Sequence, residues 1–165
     1  MMGQLLAYAG LLEGREVVWI PSYGAEMRGG TANCAVSISD SFINDPLVSE
    51  PDILLVMNEP SLVRFEAAVK PGGYLFLNSS LISHSPKRVD LKIFCVPASD
   101  CADGLGDPRV ANIVMLGALL RAQPLVKVES VLAVLEKTLS GAKRQLLPLN
   151  SEALSMGARL VAAEL

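Results

Sequence analysis

The sequence predicts an α/β fold, a Rossmann-like and mostly parallel sheet covered by helices. Three observations carry this. Short β-rich apolar runs alternate with helical periodicities along the whole chain, the pattern of a sheet with helical cover. Residues Ile53 to Met57 form an uninterrupted apolar run, as in strands buried on both faces. The 165 residues are 51% hydrophobic and only 19% charged, with mean hydropathy +0.41, which excludes a disordered chain. This length suits one domain, 1–165, burying roughly 70% of its unfolded surface.

The elements follow in order. Met1 to Glu13 reads as a helix stopped by Gly14. Glu16 to Ile20 is a buried strand that Pro21 ends, and Ser22 to Thr31 is a long loop with three glycines. Asn33 to Ser39 alternates with period two, so a strand with one covered face is expected; Cys34 then falls with Val36 and Ile38 as a buried small hydrophobe. Ser41 to Pro51 is a polar loop. Asp52 to Met57 is a parallel-type strand, and Asn58 to Ser61 turns into a helix that reaches about Val69, with Pro60 in its first turn. Lys70-Pro-Gly-Gly73 stops that helix.

Tyr74 to Leu77 is the next strand, Asn78 to Lys87 a serine-rich loop and Leu91 to Val96 a further strand. Asp103 and Asp107 flank Gly104-Leu-Gly106 in what reads as a turn. Pro108 opens an apolar helix through Arg121. Asn112 is the polar residue within it and needs a partner, while Gly117 and Ala118 permit close helix approach. Val128 to Leu139 is an amphipathic helix capped by Ser130 or Glu129. Asn150 is the expected N-cap of a last helix to the C-terminus.

Composition narrows the chemistry. Net charge −3 and pI ≈ 5.2 give no basic face for nucleic acid. Cys34, Cys95 and Cys101 form no CxxC pair, and an iron–sulfur cluster usually takes four thiolates. The single histidine, His84, sits in a Ser/Pro loop and reads as solvated; it excludes a three-histidine zinc site within one chain. No run approaches the roughly 20 apolar residues of a membrane span, and Met1 to Leu12 makes a poor signal peptide, so a cytoplasmic protein is expected. The high apolar fraction points to a surface shared with a partner.

The densest candidate site follows the first strand. Ser22, Tyr23, Glu26, Met27, Arg28, Thr31 and Asn33 surround Gly24, Gly29 and Gly30, which admit close approach of another backbone. Arg28 can clamp a carboxylate or phosphate in bidentate fashion. The plainer reading is a surface loop that tightens a hairpin. No lysine follows the glycines as in a Walker A loop, and GxGxxG is incomplete. Asn58, Asn78 and Ser79 end two other strands, where open α/β sheets bind ligands. Asn58 either bonds a ligand or caps its helix, and Asn112 bonds a strand-end loop or a partner chain.

The segment Trp19-Ile-Pro-Ser-Tyr-Gly-Ala-Glu-Met-Arg-Gly-Gly-Thr-Ala-Asn-Cys34 resembles the signature of gamma subunits of 2-oxoacid:ferredoxin oxidoreductases, most closely the 2-oxoglutarate type. Glu50-Pro-Asp-Ile53, Met57-Asn-Glu-Pro-Ser-Leu62, Val69-Lys-Pro-Gly-Gly73, Asn78-Ser-Ser80 and Arg109-Val-Ala-Asn-Ile-Val-Met-Leu-Gly117 extend the likeness in order. The resemblance implies a complex that decarboxylates a 2-oxoacid to an acyl-CoA and reduces ferredoxin, using thiamine diphosphate, Mg, iron–sulfur clusters and coenzyme A. It implies that this chain holds none of these cofactors alone and no catalytic residue of its own. Instead it would shape the cleft beside the thiamine site, with alpha, beta and ferredoxin-like delta subunits as partners and a homodimer contact among the expectations. Members begin with a strand and a Gly-Gly-Gln-Gly-like loop. Here Met1-Met2-Gly3-Gln4 already reads as the helix that follows, so an N-terminally incomplete domain is expected. The alternatives are a stand-alone Rossmann-like nucleotide-binding module and a purely structural assembly subunit.

Overall fold

The computed structural model describes residues 1–22, 32–139 and 141–162. They divide into two compact units, one of residues 1–48 and 124–147, the other of residues 49–123 and 148–165.

The first unit is a helix pair on a β-ribbon. Helix α1 (Met2–Leu12) ends at Gly14, whose φ of 75° favours glycine. Strands β1 (Glu16–Ser22) and β2 (Asn33–Ser39) pair antiparallel, from Glu16 opposite Ser39 to Ser22 opposite Asn33. β1 therefore runs through Pro21 instead of stopping there. A proline lacks the ladder N–H, and the two-stranded ribbon has open edges that tolerate it. The expected burial is corrected too: none of the fourteen strand residues is buried, and most are half-buried. Val17, Trp19, Val36 and Ile38 share one face by register, and α1 packs there with glycines inward: a Cβ added at Gly10 would lie 2.9 Å from Val17 Cγ2.

Cys34 lies on this α1-facing side but is exposed, contrary to expectation. Its neighbour on the helix is Gly3, where an added Cβ would stand 2.5 Å from Cys34 Sγ; glycine has no side chain with which to cover the thiol. Helix α5 (Val128–Thr138) completes the unit against α1. Its N-terminus is capped neither by Ser130 nor by Glu129 but from α1's far end: Glu13 Oε1 accepts from Lys127 N at 2.6 Å. The Ser130 side chain also bonds Glu13, which holds that carboxyl below its usual range. Arg15 donates to Leu125 O at 2.7 Å and lies 2.8 Å from Asp40 Oδ1, a charge contact without hydrogen-bond alignment.

The second unit holds a parallel sheet of order β3-β4-β5, formed by Ile53–Val56, Tyr74–Asn78 and Lys92–Val96. Leu75 and Leu77 face a cluster of Val56, Leu62, Val69, Ile82 and Leu91. On the other face Phe76 stacks on Phe94 at 4.8 Å between centroids. Leu75 and Phe76 are both fully buried, so this sheet is covered on both sides, as its continuous apolar runs require.

Helix α2 (Glu59–Phe65) passes into a 3₁₀ turn, Glu66–Ala68. Helix α3 (Ala98–Gly104) is new, since seven residues give too few turns for a readable apolar period; the turn expected around Gly104-Leu-Gly106 follows it, with Gly106 at φ of 86°. A 3₁₀ turn, Pro108–Val110, leads into α4 (Ala111–Ala122). Helix α6 (Leu147–Ala162) follows a 3₁₀ segment, Gly141–Leu146, so Asn150 is no N-cap but a buried residue one turn inside the helix. Gly117 of α4 and Gly157 of α6 let these helices touch backbone to backbone. A Cβ at Gly117 would lie 2.0 Å from Leu154 O, and one at Gly157 1.8 Å from Val114 O. The close approach expected at Gly117 is thus realised.

Candidate functional site

The expected site residues fall into separate groups. In the first unit Ser22 and Asn33 are the last rung of the ribbon, Ser22 exposed and Asn33 half-buried, so the two ends of the intervening segment leave from paired positions. Tyr23, Gly24, Glu26, Met27, Arg28, Gly29, Gly30 and Thr31 lie outside the described residues.

In the second unit Asn58, Asn78 and Ser79 stand together at the carboxyl edge of the parallel sheet. The register pairs Val56 with Leu77 and Asn78 with Val96; Asn78 Nδ2 reaches Met57 O, so Met57 lies beside Asn78, and Asn58 and Ser79 are the residues that follow them in the chain. Asn78 is fully buried. Its Nδ2 donates to Ser99 Oγ at 2.9 Å and toward Met57 O at 3.4 Å, and its Oδ1 accepts from Ser99 N at 3.3 Å. Ser80 Oγ accepts from Asp100 N at 3.1 Å, and Ser79 N donates to Val96 O at 2.9 Å. Asn78-Ser79-Ser80 therefore ties three strand ends to the first turn of α3, with two of that helix's free N–H groups bonded to side chains.

Asn58 is exposed, and its Oδ1 accepts from Ser61 N at 3.1 Å, the N-cap of α2. Pro60 supplies no N–H, so this helix end is also largely satisfied. Glu59 pairs with Nδ1 of the exposed His84, which makes that histidine both solvated and partnered. Asn112, on α4, is half-buried with Oδ1 shielded from solvent and accepting no hydrogen bond.

Other charges brace the unit. Arg88 forks onto Asp90 at 2.6 Å and donates to Val69 O at 2.9 Å, while its backbone N donates to the buried Glu66 carboxylate at 2.7 Å. The Arg88 guanidinium lowers the Asp90 pKa to about 2, and Arg109 does the same to Asp107, also to about 2. Burial raises the Cys101 thiol, helped by the Asp100 charge. Among the described residues no group of three or more His, Cys, Asp or Glu side chains is placed to hold a metal ion.

Sequence reading places Ser80 at this strand end with Asn78 and Ser79 but missed its partner Asp100 N, and it missed Ser99 and Met57 O as members of the network. Ser99 carried no signal, because α3 is too short to show a period and the bonds join residues about twenty apart.

A three-stranded parallel sheet with helices on both faces and polar groups gathered at its carboxyl edge defines the α/β class of protein. The chain resembles the crystal structure of a keto/oxoacid ferredoxin oxidoreductase gamma subunit from Geobacter sulfurreducens, with TM-score 0.82 and 27% identity over 98% of this chain and 90% of that one. Residues 1–160 match the family model for pyruvate ferredoxin/flavodoxin oxidoreductase, and the chain belongs to that family. Ketoisovalerate oxidoreductase subunit VorA of Methanothermobacter marburgensis is 40% identical over 119 residues, 72% of this chain but 25% of VorA, so the chain spans about a quarter of that relative. 2-Oxoglutarate synthase subunit KorC of Methanocaldococcus jannaschii is 37% identical over 125 residues, 74% of this chain and 67% of KorC.

Proposed function

We propose that this chain is the gamma subunit of a 2-oxoacid:ferredoxin oxidoreductase, with 2-oxoglutarate as the 2-oxoacid. The complex decarboxylates its substrate oxidatively, passes the electrons to ferredoxin and releases an acyl-CoA. The single observation that carries the reading is the family match across residues 1–160. The relatives named for ketoisovalerate and 2-oxoglutarate leave the choice of 2-oxoacid to assay. When bound, thiamine diphosphate supplies the carbanion chemistry. In this reading the thiamine, Mg and iron–sulfur clusters lie in alpha, beta and delta partners. Cys34, Cys95 and Cys101 of this chain stand on β2, β5 and α3.

This chain's own part is to wall the coenzyme A and substrate cleft. Arg28 clamps a phosphate or carboxylate, with Ser22, Tyr23, Gly24, Glu26, Met27, Gly29, Gly30, Thr31, Asn33, Asn58, Ser79 and Asn112 lining the cleft or the partner interface; Asn78, expected among them, is fully buried and lies behind that surface. The whole chain acts as one gamma-type domain and is inactive alone. The location is cytoplasmic; no helix among the described residues is long and apolar enough to cross a membrane. The filled N-termini of α2 and α3 weigh against a stand-alone nucleotide module, which needs free N–H groups for phosphate.

A purely structural role is the second reading, favoured by the exposed apolar Tyr8, Leu11 and Leu12 on α1. The deciding experiment is ferredoxin reduction by the assembled complex with 2-oxoglutarate, pyruvate and 2-oxoisovalerate in parallel, comparing wild type with Arg28→Ala. The cleft reading expects 2-oxoglutarate to be preferred and the coenzyme A KM to rise about tenfold in the variant. Unchanged turnover and KM in a fully assembled variant would overturn the role of Arg28 and leave the structural reading.

A further inference from the structure

We propose that Asn78 is a positioning residue: its buried amide fixes the carboxyl ends of β3 and β4 against α3, so that the exposed Asn58 and Ser79 stand as one pair of polar groups facing the ligand. The inference rests on the cleft reading above and gives Asn78 a task different from its neighbours'.

The geometry separates the three residues. Asn78 is fully buried, and both amide hydrogens are committed, one to Ser99 Oγ and one toward Met57 O. It reaches a ligand only through what it holds. Met57 immediately precedes Asn58, and Asn78 immediately precedes Ser79, so one side chain sets the position of both exposed groups. Ser99 N returns a bond to Asn78 Oδ1, which closes the link to α3 from both sides of the amide. The adjacent Ser79 N to Val96 O bond extends the β4–β5 ladder by a residue and pins Ser79 from the other side. Asn58 is anchored in turn by its Oδ1 at Ser61 N and is exposed.

Aspartate at position 78 is nearly isosteric. It keeps the acceptor for Ser99 N but sets a second oxygen against Met57 O in a fully buried site, so the β3 end is pushed away at a cost in stability that the melting temperature reads. A shift of about 1 Å in a positioning group costs on the order of 100-fold where binding geometry is tight.

The test uses the assembled complex, with coenzyme A KM and kcat measured separately for Asn78→Asp, Ser99→Ala, Asn58→Ala and Ser79→Ala. Glu66→Gln is the control. It weakens the bond to Arg88 N within the same unit, away from the Asn78–Ser99 link. Positioning expects Asn78→Asp and Ser99→Ala to raise the coenzyme A KM about tenfold with kcat within about twofold, and Glu66→Gln to leave KM unchanged even where it lowers the melting temperature as much. An equal KM rise in Glu66→Gln would mean that Asn78 acts only through general stability and would overturn the proposal. A KM rise in Asn58→Ala with none in Asn78→Asp would overturn the positioning role alone. No change in Asn58→Ala or Ser79→Ala would overturn the placement of the cleft at this edge and the proposal with it.

Discussion

The β1–β2 ribbon and the β3-β4-β5 sheet are written in similar letters and buried quite differently. Val17-Val18-Trp19-Ile20 is as apolar as Leu75-Phe76-Leu77, yet the first run is half-buried throughout and the second is sealed. The difference is architectural. A two-stranded ribbon against one helix leaves its second face to other company, and such a ribbon is marginal alone. Three parallel strands with cover on both sides make a finished core. Apolar content therefore reports the wish for burial, while the neighbours decide whether the chain satisfies it by itself.

Substitutions sharpen the contrast, beginning with the largest effect. Phe76→Ala should cost about 4 kcal/mol, since it empties a fully buried site, whereas Val18→Ala on the ribbon should cost about 1 kcal/mol in the isolated chain. Denaturant titration checks both, and equal losses would erase the distinction. Gly117→Ala should cost about 3 kcal/mol, because its Cβ meets a backbone carbonyl that cannot turn aside. Gly10→Ala meets only a valine methyl and should cost about 1 kcal/mol or less. Comparable melting temperatures for the two glycine variants would show the α4–α6 crossing to be slack.

Asn58→Ala should lose about 1 kcal/mol from the α2 cap, measured as a drop in melting temperature. The smallest effect is acid-dependent. Asp90 and Asp107 have folded-state pKa values near 2, below the ordinary carboxylate value near 4. Their contribution is complete above about pH 4 and fades as pH falls toward 2. Asp107→Asn should flatten that part of the stability–pH curve, and an unchanged slope between pH 4 and 2 would remove the Arg109 pairing as its cause.

Most of the fold was legible. The apolar runs located every strand within one or two residues, and Gly117 announced a close crossing. What failed was local sequence standing in for a distant partner. Asn150 looked like a cap but lies inside α6, and α5 takes its cap from Glu13 across the fold. Cys34 keeps the right face, but Gly3 opposite it offers no cover. At the site, the strand-end position of Asn58, Asn78 and Ser79 was readable from the run-then-turn pattern. The burial of Asn78 and its link to Ser99 were not, because each depends on a helix too short to show a period.

The cap that Glu13 gives to α5 also has a consequence in time. The first unit joins residues 1–48 to residues 124–147, so the 75 residues 49–123 must be synthesised between its two parts. At roughly 5–20 residues per second, the ribbon and α1 wait on the order of 4–15 s on the ribosome before α5 arrives. During that interval the side of α1 that α5 later packs against is open to whatever binds nascent apolar chain.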